Sequence, residues 1–192
     1  MLIAAGGEAG GHCGEVATIV LVPEVIDAVK EFPKMFVLAA GGVVTGRQMA
    51  ACMAMGADGV WCGSVWLTTA EAETNPAVKE KMLAASSRQT VRSRSRTGKY
   101  TRQLRSPWTD AWQQPEAPEP LPMPLQGLVS EPALSRIDKL AQSGDPAARK
   151  LATYWVGQGV GLMNRPLSTR QVVAEFMEDF AAASERLASF TA

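Results

Sequence analysis

The sequence predicts an α/β fold in which a parallel sheet forms the back part of a larger βα barrel. Three short apolar runs each end in glycine, and helical patterns separate them along the chain. Strands that alternate with helices form parallel sheets with the helices packed outside. The first run begins at residue 2, so the strands expected to flank it in a barrel are absent from these 192 residues.

Each strand is predicted from an apolar run that is bounded by a turn. LIAA at residues 2–5 leads into a loop with five glycines and the chain's single histidine. MFVLAA at 35–40 has no polar alternation, which is typical of a strand buried on both faces. The third run, Gly59 to Cys62, is short and ends at Gly63.

Helix signals follow the first two strands. Pro23 is predicted at a first helical position, and the apolar stripe of that helix consists of Val25, Ile26 and Val29. Thr45 is predicted to cap a second helix that ends before Gly56.

Residues 1–70 are predicted as barrel, and residues 71–192 as a helical and irregular region on the substrate side. Asn75-Pro76 and Asp145-Pro146 are helix starts, and Ser168 with Gln171 forms a capping box. Residues 107–132 contain seven of the 12 prolines and predict an irregular crossover or a loop that lies on the surface. The last helix carries an apolar stripe made of Val173, Phe176, Phe180, Leu187 and Phe190.

Composition excludes several classes of function. A formal net charge of zero favours neither a nucleic-acid nor a membrane partner, and the apolar runs are shorter than the roughly 20 residues that a bilayer requires. The three cysteines show no C-x-x-C spacing, which favours a cytoplasmic protein without a metal site.

His12 is the first candidate catalytic residue. Its imidazole can accept a proton near neutral pH, and the preceding Gly10 and Gly11 would let a flat ligand approach the backbone. The alternative is a loop histidine that caps a carbonyl. Glu8 and Glu15 flank His12 and are expected to be solvated, although either could orient the ring.

Two glycine pairs at strand ends form the second candidate site. Gly41-Gly42 and Gly63-Ser64 follow successive strands, where backbone N–H groups of a βα barrel often hold a phosphate. The alternative is that both pairs only form tight turns.

A basic run and a late glycine motif complete the candidates. Residues 88–105 hold seven cations and no acid, and Arg92, Arg94 and Arg96 would share one face of an extended segment that grips a polyanion. A solvated charged face is the alternative. The glycines after Gln158 indicate close approach to a ligand or a helix, whereas Tyr154 and Trp155 are expected to pack in the core.

Three motifs in this order resemble the nitronate monooxygenases, also called 2-nitropropane dioxygenases. They are GGEAGGHCGE, then FVLAAGGVVTGRQMAACMAMGADGVWCGS, then GQGVGLM. The resemblance implies a TIM (β/α)8 barrel with an added helical domain and a non-covalently bound FMN. The three strands would then be the sixth, seventh and eighth of the barrel, and the first five would be absent.

The resemblance also implies roles for individual residues. His12 would face the flavin as base or substrate-orienting group, Gly10 and Gly11 would lie against the flavin, and Gln158 would face the pocket. The FMN phosphate would be held by Gly41, Gly42, Gly63 and Ser64. The implied reaction oxidises alkyl nitronates with O2 to carbonyl compounds and nitrite.

Two alternatives remain open. RTGKYTRQLRSPWTDAW resembles an actinobacterial branch linked to sterol catabolism, which implies a reductase or hydroxylase that acts on coenzyme A thioesters bound by Arg92, Arg94 and Arg96. The other is an inactive fragment or an assembly module, which would pair as a homo-oligomer or with a missing N-terminal half.

Overall fold

The protein, described as a computed structural model over residues 1–190, contains two small sheets with helices packed around them. The strands are β1 (Leu2–Ala5), β2 (Gly11–His12), β3 (Val37–Ala40), β4 (Gly59–Trp61), β5 (Thr90–Ser93) and β6 (Thr101–Leu104). The helices are α1 (Thr18–Val29), α2 (Gly46–Ala54), α3 (Pro76–Ala84), α4 (Pro107–Ala111), α5 (Leu125–Gln142), α6 (Pro146–Leu151) and α7 (Thr169–Ala188). Short 3-10 helices lie at Ser64–Thr68, Ser87–Gln89 and Gln158–Leu162.

The three predicted strands form a parallel sheet in the order β1-β3-β4. Ala4 pairs with Ala39, and Ala39 pairs with Val60. The centre of this sheet is fully buried against α1, with Val22 and Ala39 completely inaccessible to solvent. The prediction of an α/β fold with parallel strands is therefore confirmed.

Helix α1 begins at Thr18, so the prediction of Pro23 as its first residue is wrong. The carboxylate of Glu8 accepts hydrogen bonds from the Thr18 N–H at 2.8 Å and from the Thr18 hydroxyl at 2.9 Å. Because Glu8 lies in an earlier loop, the residues around the start of the helix do not indicate this cap. Pro23 lies inside the helix, where it has no N–H to donate to the carbonyl of Ile19, a residue that is 69% exposed.

Helices α2 and α7 carry the predicted caps and pack against each other. Thr45 forms a capping box with Gln48, and Ser168 forms one with Gln171. The stripe predicted for α7 is only partly correct, because Val172 is the buried residue while Val173 is 49% and Phe190 is 69% exposed.

The second sheet was not predicted. It is antiparallel in the order β2-β6-β5, and it joins the histidine loop to a hairpin from the basic run. All four residues of β6 are buried. The guanidinium of Arg102 donates two hydrogen bonds to the carbonyl of Gly7, at 2.7 and 3.0 Å. In a local sequence pattern, a buried arginine cannot be told from a solvated one. The charge pattern of the basic run therefore did not predict the hairpin.

The prediction of an irregular segment over residues 107–132 is also wrong at both ends, where the chain is helical. Pro107 opens α4 at a position where its missing N–H costs nothing, and α5 begins at Leu125. Pro132 lies inside α5, where it has no N–H to donate to the carbonyl of Leu128 four residues earlier. Because Leu128 is well exposed, no buried hydrogen bond is lost.

The helix that begins after Asp145 ends at Leu151, well before the late glycines. The chain then returns to the second sheet, where Leu104 N–H donates to the carbonyl of Tyr154 at 3.0 Å and Trp155 bridges Gln103. Among residues 1–190, no helix has the length and apolar character needed to cross a membrane.

Candidate functional site

A groove of about 370 Å³ opens at the carboxyl ends of the parallel strands. In βα proteins this end of the sheet is where ligands bind. All seven residues predicted to act as base, flavin contact or phosphate ligand line the groove. They are Gly10, Gly11, His12, Gly41, Gly42, Gly63 and Ser64. The structure therefore brings the strand-end glycines and the imidazole into one cavity.

The turn after β3 presents unused backbone donors to this groove. Gly41 and Gly42 have φ angles of +111° and +71°, a region that disfavours side chains. The N–H groups of Gly42 and Gly63, beyond the strand ladder, donate to no acceptor within the described residues 1–190. Free N–H groups of this kind are typical of an anion cradle.

Ser64 adds a hydroxyl to the same wall. Its Oγ accepts a hydrogen bond from the Gly157 N–H at 2.8 Å, which leaves the hydroxyl proton available to a ligand. A Cβ built at the neighbouring Gly63 meets nothing within 4 Å, so the space beside it is open. The donor set at this end of the groove suits a phosphate group.

Of the late glycines, Gly157 and Gly159 lie against the two site loops, whereas Gly161 lies against the 3-10 helix Ser87–Gln89, as the sequence allowed. A Cβ at Gly159 would lie 2.5 Å from the carbonyl oxygen of Gly42, and a Cβ at Gly10 would lie 2.7 Å from the Gly157 nitrogen. Gln158 donates its backbone N–H to the Glu8 carbonyl at 2.9 Å. Gln158 is not part of the groove wall. The glycines therefore hold the loops together by backbone-to-backbone contact.

His12 stands where the groove meets a second cleft. Its Nε2 lies 2.9 Å from the hydroxyl oxygen of Thr97, so it bonds a side chain rather than capping a carbonyl. Glu8 caps α1, and Glu15 lies 3.4 Å from Arg92, so the carboxylates beside His12 are engaged elsewhere.

The second cleft has a volume of about 730 Å³ and a basic wall. Arg92, Arg94 and Lys99 line it together with Tyr100, whose ring lies 5.1 Å from the Arg92 guanidinium carbon. The acidic partners of Arg92 and Arg94 are exposed and 3.4 Å away, so these ion pairs are weak. The cleft therefore retains a positive potential next to the imidazole.

Arg96 does not share this face. The strand ends at Ser93, and the following turn directs Arg96 to the opposite side, where it is 7% exposed. It pairs with Glu131 at 2.8 Å, and its guanidinium carbon lies 4.5 Å from the Trp155 ring centre. The prediction that Arg92, Arg94 and Arg96 share one face is therefore wrong for Arg96, and only Arg92 and Arg94 line the cleft.

Sequence reasoning missed several residues at the site. Tyr154 and Trp155 line the groove rather than only packing in the core, and the indole N–H of Trp155 is buried with no acceptor among the described residues. Their position follows from the pairing of Trp155 with Gln103, which no local pattern reveals.

The cysteines offer no metal site. Within the described residues 1–190, no group of three or more His, Cys, Asp or Glu side chains could hold a metal ion. Burial raises the pKa of the Cys62 thiol to about 11 and also raises the pKa of Cys52, so both stay protonated near neutral pH. Cys13 is partly exposed in the basic cleft, with no third group that orients it toward His12.

Comparison with known proteins places these features in a family. The family model described as "Nitronate monooxygenase" matches residues 1–179. A Mycobacterium tuberculosis protein named as a monooxygenase, Rv1533, is 60% identical over 181 residues, which are 94% of this chain and 47% of that protein. The chain thus spans about half the length of this curated relative.

Two further matches have names that bear on chemistry. A Rhodococcus jostii protein named as a hydroxy-methyl-oxo-octahydroindene-carboxyl-CoA dehydrogenase is 45% identical over 97 residues, 50% of this chain and 26% of that protein. The solved structure of a nitroalkane oxidase from Streptomyces ansochromogenes superimposes with a TM-score of 0.80 at 29% identity, covering 96% of this chain and 52% of that one. With a family match over nearly its whole length and a relative at 60% identity, the chain belongs to the nitronate monooxygenase family.

Proposed function

We propose that this chain forms the phosphate-binding and proton-accepting part of an FMN-dependent oxidoreductase that oxidises alkyl nitronates with O2 to carbonyl compounds and nitrite. The observation that carries the proposal is the groove that His12 lines together with Gly42 and Gly63, whose N–H groups have no acceptor within residues 1–190. Family membership supports the same chemistry. In this proposal the parallel sheet supplies the sixth to eighth strands of a TIM barrel.

The groove fits the phosphate end of FMN. Its volume lies within the roughly 300–1,000 Å³ of small-molecule sites, and its donors are main-chain amides and one hydroxyl. Gly41, Gly42, Gly63 and Ser64 would hold the phosphate by backbone N–H groups and the Ser64 hydroxyl. Gly10 and Gly11 would pass beneath the ring system, where the absence of a side chain at Gly11 leaves open space.

His12 would accept the proton from the carbon beside a nitro group. A neutral imidazole is a suitable base for such a carbon acid near pH 7. When the substrate is already a nitronate, the imidazole instead orients the anion by hydrogen bonding. The bound flavin supplies the redox chemistry, and the protein positions the reactants and excludes competing ones.

A comparison of FMN with riboflavin, which lacks the phosphate, tests the cradle directly. Gly63 has a φ of −112° and open space beside it, so a side chain fits there without strain. We expect Gly63→Asp to weaken FMN binding by at least about tenfold, because a carboxylate repels the phosphate, and to leave riboflavin binding nearly unchanged. Flavin fluorescence quenching on the full 192-residue chain measures both.

Gly63→Asn is the matched control, because it adds the same volume without the charge and should bind FMN almost as well as the unaltered chain. Equal weakening of FMN and riboflavin by the aspartate would show that the phosphate lies elsewhere. A chain that binds neither flavin would favour the inactive fragment or assembly module.

A second function is favoured by the basic cleft. Arg92, Arg94 and Lys99 line the basic cleft beside His12. A coenzyme A ester would place its phosphates in this cleft and its reactive acyl group in the groove on the other side of His12. The Rhodococcus jostii relative is named as acting on a carboxyl-CoA. This alternative is a reductase or hydroxylase that acts on an acyl thioester.

A charge-removal pair tests the alternative. We expect the double variant Arg92→Gln, Arg94→Gln to bind a coenzyme A ester at least about tenfold more weakly in calorimetric titration, because two phosphate-facing cations are lost. Arg88→Gln is the control, since Arg88 belongs to the same basic run but is exposed outside the cleft. Equal affinity for the double variant and the control excludes the coenzyme A site. Reduction of the bound flavin by NAD(P)H rather than by a nitronate would favour the reductase.

A further inference from the structure

We propose that Thr97 is a positioning residue that fixes the tautomer of His12, with the proton on Nε2 and the free lone pair on Nδ1. The hydrogen-bond assignment stands on geometry alone, whereas its catalytic consequence rests on the proposed role of His12 as a base. Thr97 lies 85 positions from His12 in sequence, at the turn between β5 and β6.

The assignment follows from the partners of one oxygen atom. Thr97 Oγ1 lies 3.2 Å from the Lys99 carbonyl oxygen and 3.3 Å from the Lys99 backbone nitrogen. Lys99 O can only accept, whereas the imidazole Nε2 can donate instead. All three contacts of Oγ1 are therefore hydrogen bonds together only when the hydroxyl proton goes to Lys99 O and the Lys99 N–H donates to Oγ1. With its proton committed, Oγ1 can only accept from the imidazole 2.9 Å away. In the neutral ring, Nε2 therefore carries the proton and Nδ1 is the base.

Buried contacts with α5 fix the turn that carries Thr97. The side chains of Gln126 and Ser130 are 1% and 0% exposed, and they donate hydrogen bonds to the carbonyls of Ser95 at 2.8 Å and Arg96 at 2.6 Å. These are the two residues immediately before Thr97. The salt bridge between Arg96 and Glu131 adds a third attachment to the same helix.

The residue after Thr97 is fixed as well. Gly98 has a φ of +84°, and a Cβ there would lie 2.2 Å from the carbonyl oxygen of Leu121. On the other side of the bond, His12 is held by pairing of its backbone with Thr101 of β6. Both partners of the hydrogen bond are thus attached to the same hairpin, which preorganises the ring before any ligand binds.

The single histidine makes the tautomer directly measurable. In a chain labelled with ¹⁵N-histidine, a long-range ¹H–¹⁵N correlation spectrum contains one imidazole, and its two nitrogen shifts report which atom carries the proton. Above the pH at which the ring becomes neutral, we expect the unaltered chain to show essentially one form, with the proton on Nε2.

Thr97→Val keeps the shape of the side chain and removes the hydroxyl, so its ring should show both tautomers in exchange. Thr97→Ser restores the oxygen and should restore the single form. A proton on Nδ1 in the unaltered chain, or identical spectra for the valine variant and the unaltered chain, overturns the assignment. Circular dichroism checks that the valine variant is folded, and Thr97→Ala, which also removes the hydroxyl, provides the same comparison if it is not.

The spectra involve neither flavin nor nitroalkane, so they test the tautomer of His12 independently of the proposed function. If His12 is the base, the valine variant should also lose at least about tenfold in kcat on a neutral nitroalkane, a part of the roughly 10²- to 10⁴-fold that a general base contributes. Its affinity for FMN should not change, because Thr97 lies outside the groove wall.

Discussion

Replacing His12 with asparagine in the flavin-loaded protein should lower kcat/KM for a neutral nitroalkane by about 10²- to 10⁴-fold, which is the contribution of a positioned general base. Asparagine retains a side-chain amide that can still bond Thr97, so the loop should keep its shape. The measurement is the initial rate of O2 consumption with the neutral nitroalkane and, separately, with the preformed nitronate.

The nitronate is the internal control, because it has already lost the proton that His12 would remove. Its rate should fall far less than the rate with the nitroalkane. Glu15→Gln is the protein control, since Glu15 lies on the same loop but is exposed and faces Arg92. Equal losses with both substrates would assign His12 to substrate orientation instead of proton transfer.

Gly159→Ala should give a large loss of stability at the site. The new methyl would lie 2.5 Å from the Gly42 carbonyl oxygen and 2.7 Å from a methyl of Val44. Because one neighbour is backbone, it cannot move away cheaply, and overpacking of this kind costs about 1–3 kcal/mol or more. Urea unfolding of the full chain measures the loss, and FMN titration shows whether the displaced Gly41-Gly42 turn still binds flavin.

Gly127→Ala is the matched control for this substitution. Gly127 lies within α5, and a Cβ there meets nothing within 4 Å. Alanine should therefore raise the free energy of unfolding by about 0.5–1 kcal/mol through its higher helix propensity. If Gly159→Ala unfolds at the same urea concentration as the unaltered chain, the contact between the late glycines and the site turn does not stabilise the fold.

Local patterns predict the parallel half of this molecule well. The strands of LIAA, VLAA and GVW are short and apolar, and the cap at Thr45 uses a partner three residues away. The gathering of strand-end glycines also follows, because parallel strands place all their carboxyl ends at one edge. These features depend on neighbours in sequence or on a general rule of sheet geometry.

Most of the missed features depend on contacts distant in sequence. Glu8 starts α1 from ten residues away, and Gln126 attaches α5 to the hairpin through a carbonyl 31 residues earlier. Arg102 is buried because a loop carbonyl 95 residues earlier accepts both its hydrogen bonds. Each is a tertiary contact that outweighs a local preference, so neither periodicity nor composition could indicate it.

The pairing of β2 with β6 has a consequence for the order of assembly. A chain that is emerging from the ribosome and has reached α3 already contains β1, β3 and β4, yet it lacks the segment that holds His12. Because contacts of such long sequence separation form late, the imidazole should acquire its native placement only after the parallel sheet has formed.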